Sequence, residues 1–248
     1  MTTCPKCGYT RQPRDRSVLE GTCPACGIAY NKYKASKQSA EHAGGEVPAG
    51  FQVRIQTSFN EKLAQQFLCV PDHVDSLSFW ARAVLAALFV MWGASFIFSG
   101  IDWQSIGGSF LHNVNLPFHE FGHVLFMPLG RFMSILGGSL FQILLPLIFL
   151  VAFTIKRDNF AASIMLWWCG QNFTDVSPYI QDAPYRALPL ISGMGEEAHD
   201  WGNLLTMTGS LDKASSIASI SFAVGSLLII GAMVWAGVLL WKMKQVKF

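Results

Sequence analysis

His119-Glu120-Phe121-Gly122-His123 is an H-E-x-x-H sequence. On a helix its two histidines, four residues apart, fall on one face and can bind one metal ion through imidazole nitrogens. Glu120 lies about 100° round the helix from His119, where its carboxylate can approach a water at the metal without displacing a ligand. That division of labour suits hydrolysis: a zinc ion lowers the pKa of water and polarises a carbonyl, and the glutamate takes and returns the proton. Gly122 would let a neighbouring backbone come close. A tetrahedral catalytic site needs a third protein ligand and an open position. Candidates are Asp175, Asp182, His199 and Asp200, preferred in the order Asp175, then Asp182, then His199.

A second set of ligand-type residues opens the chain. Cys4, Cys7, Cys23 and Cys26 form C-x2-C-x15-C-x2-C, the two-knuckle spacing of a tetrahedral Cys4 zinc site. Each C-x-x-C brings two thiolates round a tight turn, with Gly8 and Gly27 supplying permissive backbone just after each pair, and the residues between can close as a small hairpin. A module of residues 1–30 has almost no core, so the zinc would supply its folding energy. Thiolate ligands favour a reducing compartment, which places this ribbon in the cytosol. Residues 1–30 are polar and offer no apolar stretch of the kind a secretory signal needs.

These side chains must be positioned by a chain of 248 residues that is 51% hydrophobic and 14% charged, with a mean hydropathy of +0.34. Soluble chains average roughly 25% charged residues, so an ordinary soluble protein is excluded. Residues 1–78 hold nine Lys/Arg and seven Asp/Glu, whereas residues 79–248 hold nine of each. A net charge of +2 and the lack of a polybasic block give no reason to expect nucleic acid. Residues 31–50 lack an apolar period and read as a flexible linker. Residues 51–77 read as a short cytosolic or interfacial segment, with weak strand alternation over 51–58 and a short helix over 61–69.

The fold expected for residues 78–248 is an all-α polytopic membrane domain with four or five transmembrane helices. Helices are expected at about 79–99, 105–130, 132–155, 160–180 and 217–241, judged against the ~20 residues that cross a bilayer. The stretch 105–130 carries His112, Asn113, Asn115, His119, Glu120 and His123, a load that belongs in a bundle interior rather than against lipid. If 105–130 and 160–180 cross in the same direction, His123 and Asp175 differ in depth by two residues. At 1.5 Å per residue that is about 3 Å, within ligand reach, which favours Asp175.

An H-E-x-x-H on a membrane helix, a following span with small residues, and a later helix bearing Asn172, Asp175, Pro178 and Asp182 together resemble the site-2 protease family of intramembrane zinc metalloproteases, over roughly residues 105–183. The resemblance implies His119 and His123 as zinc ligands, Glu120 as general base, an aspartate of the later helix as third ligand, and cleavage of transmembrane substrate segments. That family usually has an asparagine, prolines and Asp-Gly in this helix, whereas QNFTDVSPYIQDA has one proline and no Asp-Gly. Asp182 and His199 therefore stay open beside Asp175.

The expected protein is a membrane metalloprotease with one structural and one catalytic zinc. It would act on membrane-protein substrates from a bacterial inner membrane, its ribbon serving as a regulatory module or binding a cytosolic protein. A non-catalytic zinc sensor or scaffold, and an ion transporter with a path along Asp175, His119, Glu120 and His123, fit the same residues. Five crossings put Lys156, Arg157 and the tail lysines outside, against the positive-inside tendency, whereas a re-entrant 105–130 leaves four crossings and puts them in the cytosol. The depth match and the resemblance favour five.

Overall fold

The computed structural model describes residues 3–13, 15, 18–33, 59–189 and 198–246, of which 60–62 are described in their backbone alone. The expected linker beyond residue 33 and the expected strand over 51–58 lie outside the described residues. The chain divides into two units, Met1–Gln56 and Thr57–Phe248.

In the first unit each C-x-x-C forms the same knuckle. Gly8 N–H donates to the Cys4 carbonyl and Gly27 N–H to the Cys23 carbonyl, at 3.0 and 2.9 Å. Both glycines are left-handed, at φ 75° and 69°, where a Cβ is disfavoured. Instead of a hairpin ladder, the described residues show one antiparallel bridge per knuckle, Thr3 with Thr10 and Thr22 with Ala29. The guanidinium of Arg11 donates to the carbonyls of Asp15, Val18, Leu19, Glu20 and Thr22, which fixes the connection between knuckles. Cys4, Cys23 and Tyr30 are the buried centre, with Tyr9 and Ile28 against them.

The described secondary structure of the second unit is helical, with no strand: α1 (Phe59–Phe67), α2 (Ser76–Ser99), α3 (Trp103–Gly107), α4 (Phe110–Phe126), α5 (Arg131–Ile155), α6 (Asn159–Gln181), α7 (Asp200–Met207) and α8 (Ala214–Val246). Among the described residues, three helices are long and apolar enough to cross a membrane: α2, α5, and the stretch Leu211–Val246 that contains α8. The single helix expected over 105–130 is two. Gly108 ends α3, and the Ser109 hydroxyl accepts from His112 N–H to start α4. At 17 residues, α4 is about 26 Å long, short of the ~30 Å hydrocarbon core.

The middle of the unit is α6, packed along α8 and α5 and buried from Asn159 to Ile180 on most of its positions. Its polar residues are therefore screened by neighbouring helices, the condition under which such groups persist in an apolar assembly. Pro178 leaves the Thr174 carbonyl without its helical donor, and the Ser177 hydroxyl donates there instead at 2.7 Å.

One end of the unit is tied together by the end of α1. The Gln66 side chain donates to Thr154 O, and Asn159 Nδ2 donates to the carbonyls of Gln66 and Cys69. Trp235 and Lys242 of α8 donate to the carbonyls of Phe67 and Leu68. The beginning of α2 packs there too, with Phe79 against Phe160, Leu239 and Met243. Thus α2 leaves this end and α5 returns to it, so α3 and α4 start and finish toward the opposite end.

Candidate metal centre

The helix crossing that carries the centre is made by glycine. Gly122 of α4 and Gly137 of α5 approach so closely that a Cβ on either would collide with the carbonyl oxygen of the other. One residue on, a Cβ at Gly138 would lie 2.6 Å from His119 Nε2 and 2.7 Å from His123 Nε2. Bare backbone at Gly137 and Gly138 thus opens the space in which both imidazoles turn toward one point.

Each ring is held from behind. His123 Nδ1 lies 2.9 Å from the Ser134 carbonyl, an acceptor only, so Nδ1 carries the proton and Nε2 is left with a lone pair. The Ser134 hydroxyl donates to the His123 carbonyl in return. His119 Nδ1 lies 3.0 Å from Gln142 Oε1. The two Nε2 atoms then meet a carboxylate oxygen, Asp200 Oδ2, at 3.0 Å from His119 and 3.4 Å from His123. His119, His123 and Asp200 each offer one ligand atom, all within 4.8 Å of one another, and this group can hold a metal ion.

Asp200 reaches this point because α7 folds back over α5. Trp201 Nε1 donates to Ser139 Oγ at 3.1 Å, and Asp200 N–H donates to the Tyr179 hydroxyl at 2.8 Å. The expected third ligands occupy other places. The Asp175 carboxylate is taken up by His112 Nδ1 at 3.0 Å, Asn115 Nδ2 at 3.1 Å and Gln142 Nε2 at 2.8 Å, so Gln142 stands between it and His119. Asp182 and His199 pair with each other at 3.2 Å. His199 is fully buried and caps α7, its Nδ1 accepting from Gly202 N–H at 2.9 Å, which leaves Nε2–H for Asp182. Those two aspartates are consumed by neighbours, and the acid beside the histidines is Asp200, from the polar stretch after α6.

His112, His119, Glu120, His123, Asp175, Tyr179 and Asp200 all line one cavity of about 520 Å³. Among the described residues Glu120 has no hydrogen-bond partner; it is exposed, belongs to that wall and stands next in sequence to a buried ligand-type histidine. In the first unit, Cys4 Sγ lies 3.7 Å from Cys26 Sγ and Cys7 Sγ lies 3.6 Å from Cys23 Sγ, with all four cysteines free. This cluster too can hold a metal ion.

In comparisons with known proteins, no family model, curated protein or solved structure matches the chain. Sequence reasoning passed over Gly138, Gln142 and Tyr179 as site residues. The available signals were weak ones: a polar glutamine and a glycine pair interrupting an otherwise apolar span, and a tyrosine next to a proline in α6.

Proposed function

We propose that the protein is a membrane-embedded zinc metallopeptidase, resembling site-2 proteases, that hydrolyses peptide bonds of membrane-associated substrates. The observation that carries this reading is the convergence of His119, His123 and Asp200 on one point in a cavity that Glu120 also lines. Bonds of about 2.0–2.1 Å from a tetrahedral zinc to nitrogen and oxygen imply ligand-to-ligand edges of about 3.3 Å, and bonds of about 2.3 Å to sulfur imply about 3.8 Å. The separations of 3.0 and 3.4 Å in the cavity, and of 3.6 and 3.7 Å among the thiols, fit those edges. Three protein ligands leave one tetrahedral position open, the mark of a catalytic rather than a structural site, whereas the four cysteines close theirs.

Zinc, when bound, supplies Lewis acidity to a carbonyl and to water. The chain's own residues do the rest. His119, His123 and Asp200 hold the ion, with Tyr179 fixing the backbone of Asp200. Glu120 accepts a proton from the attacking water and delivers it to the leaving amine. The cavity offers an extended peptide segment a place along α4 beside these residues. Four crossings, α2, α5, α6 and α8, suit this reading, with α4 entering and leaving from the side opposite α1. Lys156, Arg157, Lys242 and Lys244 then share one membrane face, which the positive-inside tendency assigns to the cytosol. The thiolates of the ribbon belong in the same reducing compartment, where it can engage a cytosolic partner.

The test is cleavage of a transmembrane-segment substrate by purified, zinc-loaded protein. Glu120→Gln is expected to retain two zinc ions per chain and to lose about 10²–10⁴-fold in rate. Cleavage at the wild-type rate by this variant would remove Glu120 from the chemistry, and inactivity of the loaded wild type on every transmembrane substrate would remove the peptidase assignment.

A further inference from the structure

Behind the histidine pair lies a buried chain of hydrogen bonds whose direction is dictated by its ends. Trp168 Nε1 can only donate, and it does so to Asn115 Oδ1 at 2.9 Å. The amide nitrogen of Asn115 must therefore face the other way, where it donates to Gln171 Oε1 at 2.9 Å and to Asp175 Oδ2 at 3.1 Å. An ionised carboxylate can only accept. Gln142 consequently turns its amide nitrogen to Asp175 Oδ2, at 2.8 Å, and is left with its carbonyl oxygen toward His119 Nδ1, at 3.0 Å. Asn115, Gln142, Gln171 and Asp175 are all buried, so their partners are found chiefly within the protein, although Gln142 and Asp175 also border the cavity.

We propose that Asp175, acting through Gln142, is the positioning residue that holds the proton of His119 on Nδ1 and so presents the Nε2 lone pair to the metal. The inference rests on His119 being a metal ligand, as in the function proposed above. The two histidines differ in how they are set. His123 takes its tautomer from the Ser134 backbone carbonyl, which no substitution removes, whereas His119 takes it from an amide that is free to turn over once its acceptor is gone. An amide turned by 180° would aim its nitrogen at Nδ1, favour a proton on Nε2, and block coordination there. A carboxylate placed among His112, Asn115 and Gln142 thus has a use beyond its own pairing: it gives direction to the ligand it never touches.

The experiment reads the ring directly in the full-length, zinc-loaded protein labelled with 15N-histidine, together with zinc affinity by competition against a chelator. Wild type is expected to show His119 protonated at Nδ1 and metallated through Nε2. Gln142→Leu and Asp175→Leu are expected to weaken zinc binding at the histidine site by about 10–100-fold, the usual loss when a partner behind a ligand is removed. Asp175→Asn can still turn an oxygen to Gln142 and Asn115 and an amide to His112, and is expected to rescue affinity to within a few-fold of wild type. Metallation of His119 through Nδ1, or Leu variants that bind zinc as tightly as wild type, would overturn the relay. The wild-type spectrum decides the tautomer even if a Leu variant misfolds. Neither readout uses cleavage, so the relay can fail while the peptidase assignment stands, and the reverse.

Discussion

The acids of the second unit divide by what already satisfies them. Asp175 accepts from three donors and Asp182 from His199 and Leu188 N–H, so each has spent its charge on fixed partners. Asp200 alone among the three faces two imidazole Nε2 atoms, an arrangement that becomes favourable when a cation sits among them. Asp200→Ala should accordingly lower the metal content from two ions per chain to one, a larger effect than any substitution of Asp175. Elemental analysis of the purified variants checks this, and two ions retained by Asp200→Ala would return the ligand role to another acid. Both histidines and Glu120 were legible as candidates from five consecutive residues, because the spacing of a helix is local. Asp200 was legible only as one of four acids or histidines of the right type, because its distance from His119 depends on how α7 folds back 81 residues later.

Helices α4 and α5 cross on glycines, and their separation sets the site. At an ordinary helix position Gly→Ala would be stabilising by up to about 1 kcal/mol. At Gly138 the added methyl would lie 2.6–2.7 Å from imidazole nitrogens, and it must displace the rings or part the helices. Gly138→Ala should therefore weaken zinc binding at the histidine site by at least about tenfold while helical content by circular dichroism is unchanged. Wild-type affinity in this variant would mean that the rings have more freedom than their packing suggests. The glycine pair appeared in the sequence only as an interruption of an apolar span. What it admits, an imidazole from another helix, is a property of the crossing. The same holds for the break at Gly108-Ser109: a continuous run of helix-compatible residues read as one long helix, and a capping serine followed by His112 N–H made it two.

For the molecule as a whole, the decisive bonds are that from Gln66 to the Thr154 carbonyl and those from Asn159, Trp235 and Lys242 to the carbonyls at and just after the end of α1. They gather the end of α5, the beginning of α6 and the end of α8 on one side. Topology reporters placed after Arg157 and after Phe248 should both read cytosolic, whereas non-cytosolic readings at both would require α4 to cross completely and would mean five spans. The apolar runs were enough, by themselves, to mark the three helices that are long and apolar enough to cross a membrane among the described residues, because crossing a bilayer demands a length and a composition that any continuous segment displays. The four cysteines were likewise sufficient for a knuckle pair that can hold a metal ion, since both halves of each turn lie within a few residues. Burial of α6, the relay from Asp175 to His119 and the arrival of Asp200 were decided only by tertiary structure. Each depends on which segments, far apart in the chain, share a face once the helices pack, and residue type and spacing carry no record of that.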